Sequence, residues 1–70
     1  MSVLGKLLRE ARQNAGLSQA DLAARARVHR TYISLLERDK KSPTLKVFLR
    51  ICRALGASPS EIVSKLEGRR

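Results

Sequence analysis

Three polar side chains near the start of one predicted helix could hydrogen-bond to the edges of nucleic-acid bases. Ser34 follows Thr31 by three residues and Arg30 by four, so the three share one face of a helix over about residues 29–38. A guanidinium fork matches the two acceptors of guanine, and a hydroxyl can serve any base. The alternative is an ordinary solvated helix surface. The spacing indicates base readout if other elements hold this helix against a duplex.

A shorter predicted helix precedes this one, at residues 19 to about 26, and a tight turn joins the two. Ser18 and Asp21 have the spacing of a capping box at its start. Ala23 is small enough for another helix to cross it closely. Apolar side chains flank that crossing: Leu22, Val28, Ile33 and Leu36. Residues 18–37 therefore predict a helix-turn-helix, whose second helix enters the major groove of DNA.

Three further helices complete an all-α, compact five-helix fold without any strand signal. Apolar periodicity predicts them over residues 3–15, 45–55 and from 59 onward. Residues 67–70 are expected to form a frayed tail. A length of 70 residues without an interior linker predicts one domain over residues 1–70.

The charge of the chain favours a polyanionic partner. Fifteen Lys and Arg stand against six Asp and Glu, which gives a net charge of +9. A basic domain of this kind has the electrostatic footprint of nucleic-acid binding, although a solvated basic surface is the alternative. A membrane partner is disfavoured because no helix pairs a strongly apolar face with a wholly basic one. The first residues do not read as a signal peptide, so we expect a cytoplasmic protein.

No group of residues predicts catalysis, a metal or a cofactor. Cys52 is the single cysteine and occupies an apolar helical position, which predicts a buried thiol. His29 is the only histidine and has no second ligand in register. Neither a nucleophile with a base nor paired carboxylates occur at a useful spacing. We therefore expect no enzyme activity, no metal, no cofactor and no small-molecule ligand.

The chain resembles the phage-repressor and Cro type of helix-turn-helix domain. The resemblance runs from Leu4 to about Leu66 and rests on the segments LGKLLREARQNAGLSQADLAARA, VHRTYISLLER and SPTLKVFLRICRALGASPSEI. HRTYISLLER is similar, more narrowly, to controller proteins of restriction–modification systems. The resemblance implies a DNA-binding transcription regulator, and it places Arg30 and Thr31 at positions that read bases.

The same resemblance implies contacts with the DNA backbone around that face. Gln19 matches a glutamine that touches a phosphate and braces the recognition helix, and Tyr32 matches a position whose hydroxyl reaches the backbone. A backbone-clamping loop is matched by Lys40, Lys41 and Ser42. Each of these residues could instead be an ordinary surface or packing residue.

Three residues depart from the pattern of this family. Arg27 stands where the turn usually has glycine, and a left-handed conformation there costs roughly 1 kcal/mol or more. A phosphate contact by Arg27 is our hypothesis for what offsets that cost. His29 replaces the usual Ser or Thr cap and is interpreted as an imperfect N-cap or a phosphate neighbour. Asp39 replaces a frequent glycine after the recognition helix.

The fourth predicted helix has more apolar surface than a core of this size needs. One stripe is assigned to the core and consists of Leu45, Phe48, Leu49, Cys52 and Leu55. Val63 and Leu66 of the fifth helix are assigned to the same core. The adjacent stripe is spare, which predicts a homodimer with Val47, Ile51 and Leu55 near its axis. A helix that is buried centrally in the monomer is the alternative. Two recognition helices about 34 Å apart would read a pseudo-palindrome.

These features together predict a sequence-specific transcription regulator that binds double-stranded DNA as a homodimer. The first alternative is an antitoxin-like protein-interaction module that also binds DNA, although the short tail offers little material to wrap a partner. The second is non-specific DNA packaging, which would need charge but no base-reading face.

Overall fold

The computed structural model describes residues 3–68, and this range contains five α-helices and no strand. The helices are α1 (Leu4–Asn14), α2 (Gln19–Ala26), α3 (Arg30–Glu37), α4 (Leu45–Leu55) and α5 (Pro59–Leu66). The all-α, five-helix prediction is confirmed. Of the predicted tail, residues 67 and 68 form a turn after α5, and residues 69 and 70 lie outside the described range.

Polar side chains determine where α2 and α4 begin. The hydroxyl oxygen of Ser18 accepts a hydrogen bond from the amide of Asp21 at 2.9 Å, and the Asp21 carboxylate accepts one from the amide of Ser18 at 3.1 Å. This is the predicted capping box. The bond from the Ser18 amide lowers the pKa of Asp21. At α4, Thr44 Oγ1 accepts from the amide of Val47 at 3.2 Å.

The hydrophobic core takes side chains from all five helices. α2 packs against α3 and α4, and α1 packs against α3 and α5. The buried apolar residues are Leu8, Leu22, Ala23, Ala26, Ile33, Leu36, Phe48, Ile51, Cys52 and Ile62. Burial also raises the pKa of the Cys52 thiol, as expected for a structural cysteine. The two helices of the predicted motif therefore share one core with the rest of the domain.

The structure corrects the role predicted for Ile51. Its side chain has an exposed fraction of 0% and lies in the core, so it offers no surface to a second copy. The reason is that α4 lies against both α2 and α5, so its inward face must be wide. Val47 and Leu55, predicted beside it in the interface, are half-buried against the same core.

The apolar residues that are exposed on α4 and α5 are residues that the sequence pattern predicts to lie in the core. Leu45, Leu49, Val63 and Leu66 have exposed fractions between 37% and 72%. Three of them line a shallow groove together with Leu4, Pro43 and Phe48. We refer to Leu45, Leu49, Val63 and Leu66 as the apolar face.

Candidate nucleic-acid interface

The turn between α2 and α3 contains an arginine in the left-handed conformation that glycine usually adopts. Arg27 has φ 61° and ψ 45°, a region that costs an L residue about 1–2 kcal/mol. Arg50 of α4 supports this turn from the side. Its Nε and Nη2 donate to the carbonyl of Ala26 at 3.0 and 2.8 Å, and Nη2 donates to the carbonyl of Arg27 at 2.9 Å. The carbonyls at the end of α2 are thus satisfied by a cation.

His29 caps the N-terminus of α3. Its Nδ1 accepts a hydrogen bond from the amide of Thr31 at 3.1 Å. Because Nδ1 is the acceptor, the ring proton of the neutral imidazole is on Nε2, which remains a donor on an exposed side chain. The interpretation as an N-cap is confirmed, and the free donor suits a neighbouring phosphate.

The three proposed base-reading residues lie together in one open groove between the starts of α2 and α3. Arg30 and Thr31 are exposed, and Ser34 is half-buried. The residues that line this groove, which we call the reading groove, are Arg12, Ser18, Gln19, Ala20, Arg30, Thr31 and Ser34. Donors and hydroxyl groups of α3 therefore share one surface with the N-terminus of α2, whose amides favour anions.

A partly buried ion pair holds α3 beneath the reading groove. Arg12 Nε donates to Glu37 Oε2 at 2.6 Å and Arg12 Nη2 to Glu37 Oε1 at 3.1 Å. The exposed fractions of the two side chains are 12% and 3%. The hydrogen bond from Arg12 to Glu37 raises the pKa of Arg12. Gln19 Nε2 also donates to Glu37 Oε1, at 3.0 Å, and this contact supports the bracing role expected of Gln19.

From the sequence, Glu37 is expected to pair with a basic residue or to orient Arg30, and Arg12 was not identified as its partner, although a signal for this pair was present. Arg12 lies four residues after the core residue Leu8, and Glu37 lies four residues after the core residue Ile33. Both charged residues therefore lie on the core-facing stripes of their helices. Opposite charges in two such stripes indicate a buried ion pair.

The C-terminal end of α3 is docked on α1 at Gly5. The amide of Gly5 donates to Asp39 Oδ1 at 3.1 Å, and Asp39 has a left-handed φ of 57°. A Cβ atom on Gly5 would lie 2.5 Å from the carbonyl oxygens of both Leu36 and Glu37. Glycine is therefore required by the close approach of two backbones. A glycine inside a predicted helix is the only sequence signal for such an approach.

The other proposed backbone-contacting residues lie outside the reading groove. Tyr32 is half-buried and packs against the core. Three exposed residues lie in the loop between α3 and α4: Lys40, Lys41 and Ser42. Within residues 3–68, no group of three or more His, Cys, Asp or Glu side chains could hold a metal ion. In the same range, every helix is too short or too polar to cross a bilayer.

Comparison with known proteins identifies the family. Residues 8–62 match the family model described as helix-turn-helix. An uncharacterized HTH-type transcriptional regulator of Methanothermobacter thermautotrophicus is 43% identical over 61 residues, which cover 87% of this chain and 88% of that protein.

Two solved structures have nearly the same fold. The clp gene regulator ClgR from C. glutamicum has a TM-score of 0.89 at 34% identity over 96% of this chain and 87% of that one. The restriction–modification controller protein C.AhdI from Aeromonas hydrophila has a TM-score of 0.84 at 34% identity over 87% of this chain and 92% of that one. The resemblance to repressor-type and controller proteins is confirmed. The chain therefore belongs to the helix-turn-helix family of DNA-binding transcriptional regulators.

Proposed function

We propose that the protein is a homodimeric, sequence-specific regulator that inserts α3 into the major groove of a pseudo-palindromic operator. The observation that carries this proposal is the reading groove, where the base-reading residues are presented on a helix that is fixed from below. An α-helix with its side chains is about 10–12 Å across, so α3 fits within the roughly 12 Å width of the major groove. The partly buried Arg12–Glu37 pair keeps this helix in one orientation.

Each residue of the reading face has a chemical role in this proposal. Arg30 donates to O6 and N7 of a guanine, a contact worth about 1–3 kcal/mol of discrimination against another base. Thr31 and Ser34 use their hydroxyl groups on neighbouring bases, and the Thr31 methyl group suits a thymine methyl. These residues are exposed or half-exposed on one side of α3, as base readout requires.

The remaining polar residues position the domain on the phosphates. At the edge of the reading groove, the N-terminus of α2 offers free amides beside Gln19. His29 contributes its Nε2 donor, and Arg27 contributes a guanidinium from the turn. Tyr32 and the loop after α3, formed by Lys40, Lys41 and Ser42, contact the backbone on the other side of the recognition helix.

We assign the dimer contact to the apolar face, with Val47 and Leu55 at its margin, and not to Ile51. Four exposed aliphatic side chains on two adjacent helices are unusual for the surface of a small, highly charged monomer. A second copy is the occupant that suits this face, because an isologous contact buries it on both subunits at once. A single α3 with three base-reading side chains specifies few base pairs, and a dimer doubles that number.

Charge introduced on the apolar face tests the dimer. Leu49→Glu should give a folded monomer by sedimentation at micromolar concentration, with much weaker binding to a two-fold symmetric site. Lys6→Glu makes a larger change of charge at an exposed position on α1 and serves as the control for charge alone. A sedimentation coefficient that Leu49→Glu leaves unchanged would remove the assignment.

Selection of bound sequences from a random DNA pool at about 150 mM salt tests the proposed function, because that salt suppresses phosphate-driven background. Enrichment of a symmetric site with half-sites about 34 Å apart is expected. Repeating the selection with Arg30→Gln should change guanine to adenine at one position of each half-site, since glutamine pairs with adenine N6 and N7. A pool that stays random, despite binding at low salt, would refute sequence-specific regulation and direct the search to a protein partner.

A further inference from the structure

A second basic concavity lies at the C-terminal end of α2, whereas the reading groove lies at the N-terminal end of that helix. It has a volume of about 270 Å³ and is lined by Arg25, Ala26, Arg27, Arg50, Arg53 and Ala54. We call it the arginine pocket. It shares no lining residue with the reading groove, and no acidic side chain lines it.

The arrangement of the four guanidinium groups is suited to an oxyanion. Arg50 is oriented by its hydrogen bonds to the carbonyls of Ala26 and Arg27, so it is a preorganised member of the group. The Asp21 carboxylate, one turn before Arg25 on α2, attracts Arg25. The side chains of Arg27 and Arg53 make no hydrogen bond or ion pair with residues 3–68. Four positive charges around one concavity repel each other until an anion enters. The planar guanidinium fork matches two phosphate oxygens at once.

The lining also distinguishes a phosphate group from a whole nucleotide. Apart from the arginines, the pocket wall consists of two alanines, and no aromatic side chain offers a stacking surface for a base. The pocket therefore has the groups needed to bind a phosphate but lacks a surface on which a nucleobase could stack.

The position of the pocket indicates which phosphate reaches it. Arg27 precedes Arg30 by three residues, so their Cα atoms lie within about 10 Å of each other even in an extended chain. The major groove is about 12 Å wide, so a turn this close to the tip of α3 is near the phosphates that border the groove. Gln19 and Ala26, at the two ends of α2, are about 10 Å apart along the helix axis, so the two ends face different phosphates.

We propose that the arginine pocket binds a phosphate of the DNA backbone at the edge of the major groove that receives α3, in addition to the contacts made around the reading groove. This inference rests on the proposed function, because it takes the insertion of α3 as its starting point. It predicts that Arg25 and Arg53, which lie outside the helix-turn-helix reading face, contribute to affinity for every DNA sequence alike.

The salt dependence of DNA binding tests this inference. Each lost phosphate contact reduces the slope of log K against log[salt] by about 0.9 on duplex DNA. The variant Arg25→Gln/Arg53→Gln should therefore reduce the slope by about 0.9 per bound protomer, on the selected operator and on a random duplex alike. The control Lys6→Gln/Lys65→Gln removes the same charge from exposed positions on α1 and α5 and should leave the slope nearly unchanged. Circular dichroism verifies that both variants are folded.

Two further measurements make the result specific. Arg25→Lys/Arg53→Lys keeps the charge and should restore most of the slope. A single uncharged methylphosphonate at the phosphate that the pocket contacts should weaken the wild type more than the Gln variant, whereas the same change at other phosphates should weaken both proteins equally. A slope that the Gln variant does not change would overturn the proposal. Binding of inorganic pyrophosphate with an unchanged DNA slope would also overturn it and would assign the pocket to a free anion.

The experiment separates this inference from the proposed function. If the wild type selects a symmetric site but the Gln variant keeps the wild-type slope, the inference fails and the proposed function stands. If the wild type selects no site, the proposed function fails. In that case a reduced slope on random duplex would still show a phosphate contact at the pocket.

Discussion

Replacing Arg27 by glycine is expected to stabilise the protein and weaken its binding to DNA. Arg27 has φ 61° and ψ 45°, where an L side chain costs about 1–2 kcal/mol. Glycine removes this cost but adds entropy to the unfolded chain, which offsets about 0.5–1 kcal/mol of the gain. The net increase in the free energy of unfolding is about 0.5–1 kcal/mol. For a domain of this size, that increase raises Tm by about 2–8 °C.

Arg27→Ala is the matched control, since it removes the same charge but keeps the Cβ atom that causes the strain. Arg50 contacts the carbonyl of residue 27 and not its side chain, so both variants keep that hydrogen bond. Thermal unfolding at equal protein concentration measures stability, and the salt slope of DNA binding measures the lost phosphate contact. Both variants should reduce the slope of log K against log[salt] by about 0.9, and only the glycine variant should have a higher Tm. A glycine variant that melts no higher than the alanine variant would refute the strain argument.

Three other substitutions test two supports of α3 and the cap of α2. Glu37→Ala leaves the partly buried Arg12 without its carboxylate, although Nη1 still donates to the carbonyl of Leu17, and should cost about 1.5–3 kcal/mol in urea unfolding; a loss below about 1 kcal/mol would mean that the pair acts like an exposed one. Gly5→Ala forces a Cβ against two backbone carbonyls and should cost about 1–3 kcal/mol by the same assay, and an unchanged stability would show that α1 can shift freely. The pKa of Asp21 is lowered in the folded state, so the capping box contributes fully above the ordinary carboxyl pKa near 3.8 and loses its contribution as the pH falls through the lower, folded value. Asp21→Asn should therefore flatten the dependence of stability on pH below about 4, and a curve like that of the wild type would contradict this.

The features that could be predicted from the sequence are those that neighbouring residues determine. The capping box of Ser18 and Asp21 is closed by two hydrogen bonds across three residues. The left-handed turn at Arg27 and the cap at His29 are equally local. The clustering of Arg30, Thr31 and Ser34 follows from helical spacing once α3 exists. For this reason the helix bounds, and the shared surface of Arg30, Thr31 and Ser34, agree with the structure.

The features that could not be predicted depend on how the helices pack. Two adjacent apolar stripes on α4 differ by a small rotation about its axis, and periodicity alone does not say which one faces inward. The contacts with α2 and α5 decide it, and they bury Ile51 while they leave Leu49 exposed. The hydrogen bonds from Arg12 to Glu37 and from Gly5 to Asp39 join residues 25 and 34 positions apart, so the pattern around each residue indicates a close contact but does not identify its partner.

The position of α3 is determined by the rest of the domain rather than by α3 itself. A helix of eight residues is not stable alone in water, so its orientation must come from its neighbours. Those neighbours hold it at three levels: the turn supported by Arg50, the Arg12–Glu37 pair in the middle, and the close contact of Gly5 at its C-terminal end. None of these supports uses the side chains of Arg30, Thr31 or Ser34. Arg30, Thr31 and Ser34 can therefore change without moving the helix, and the contacts that hold α3 are separate from the residues that we propose to read bases.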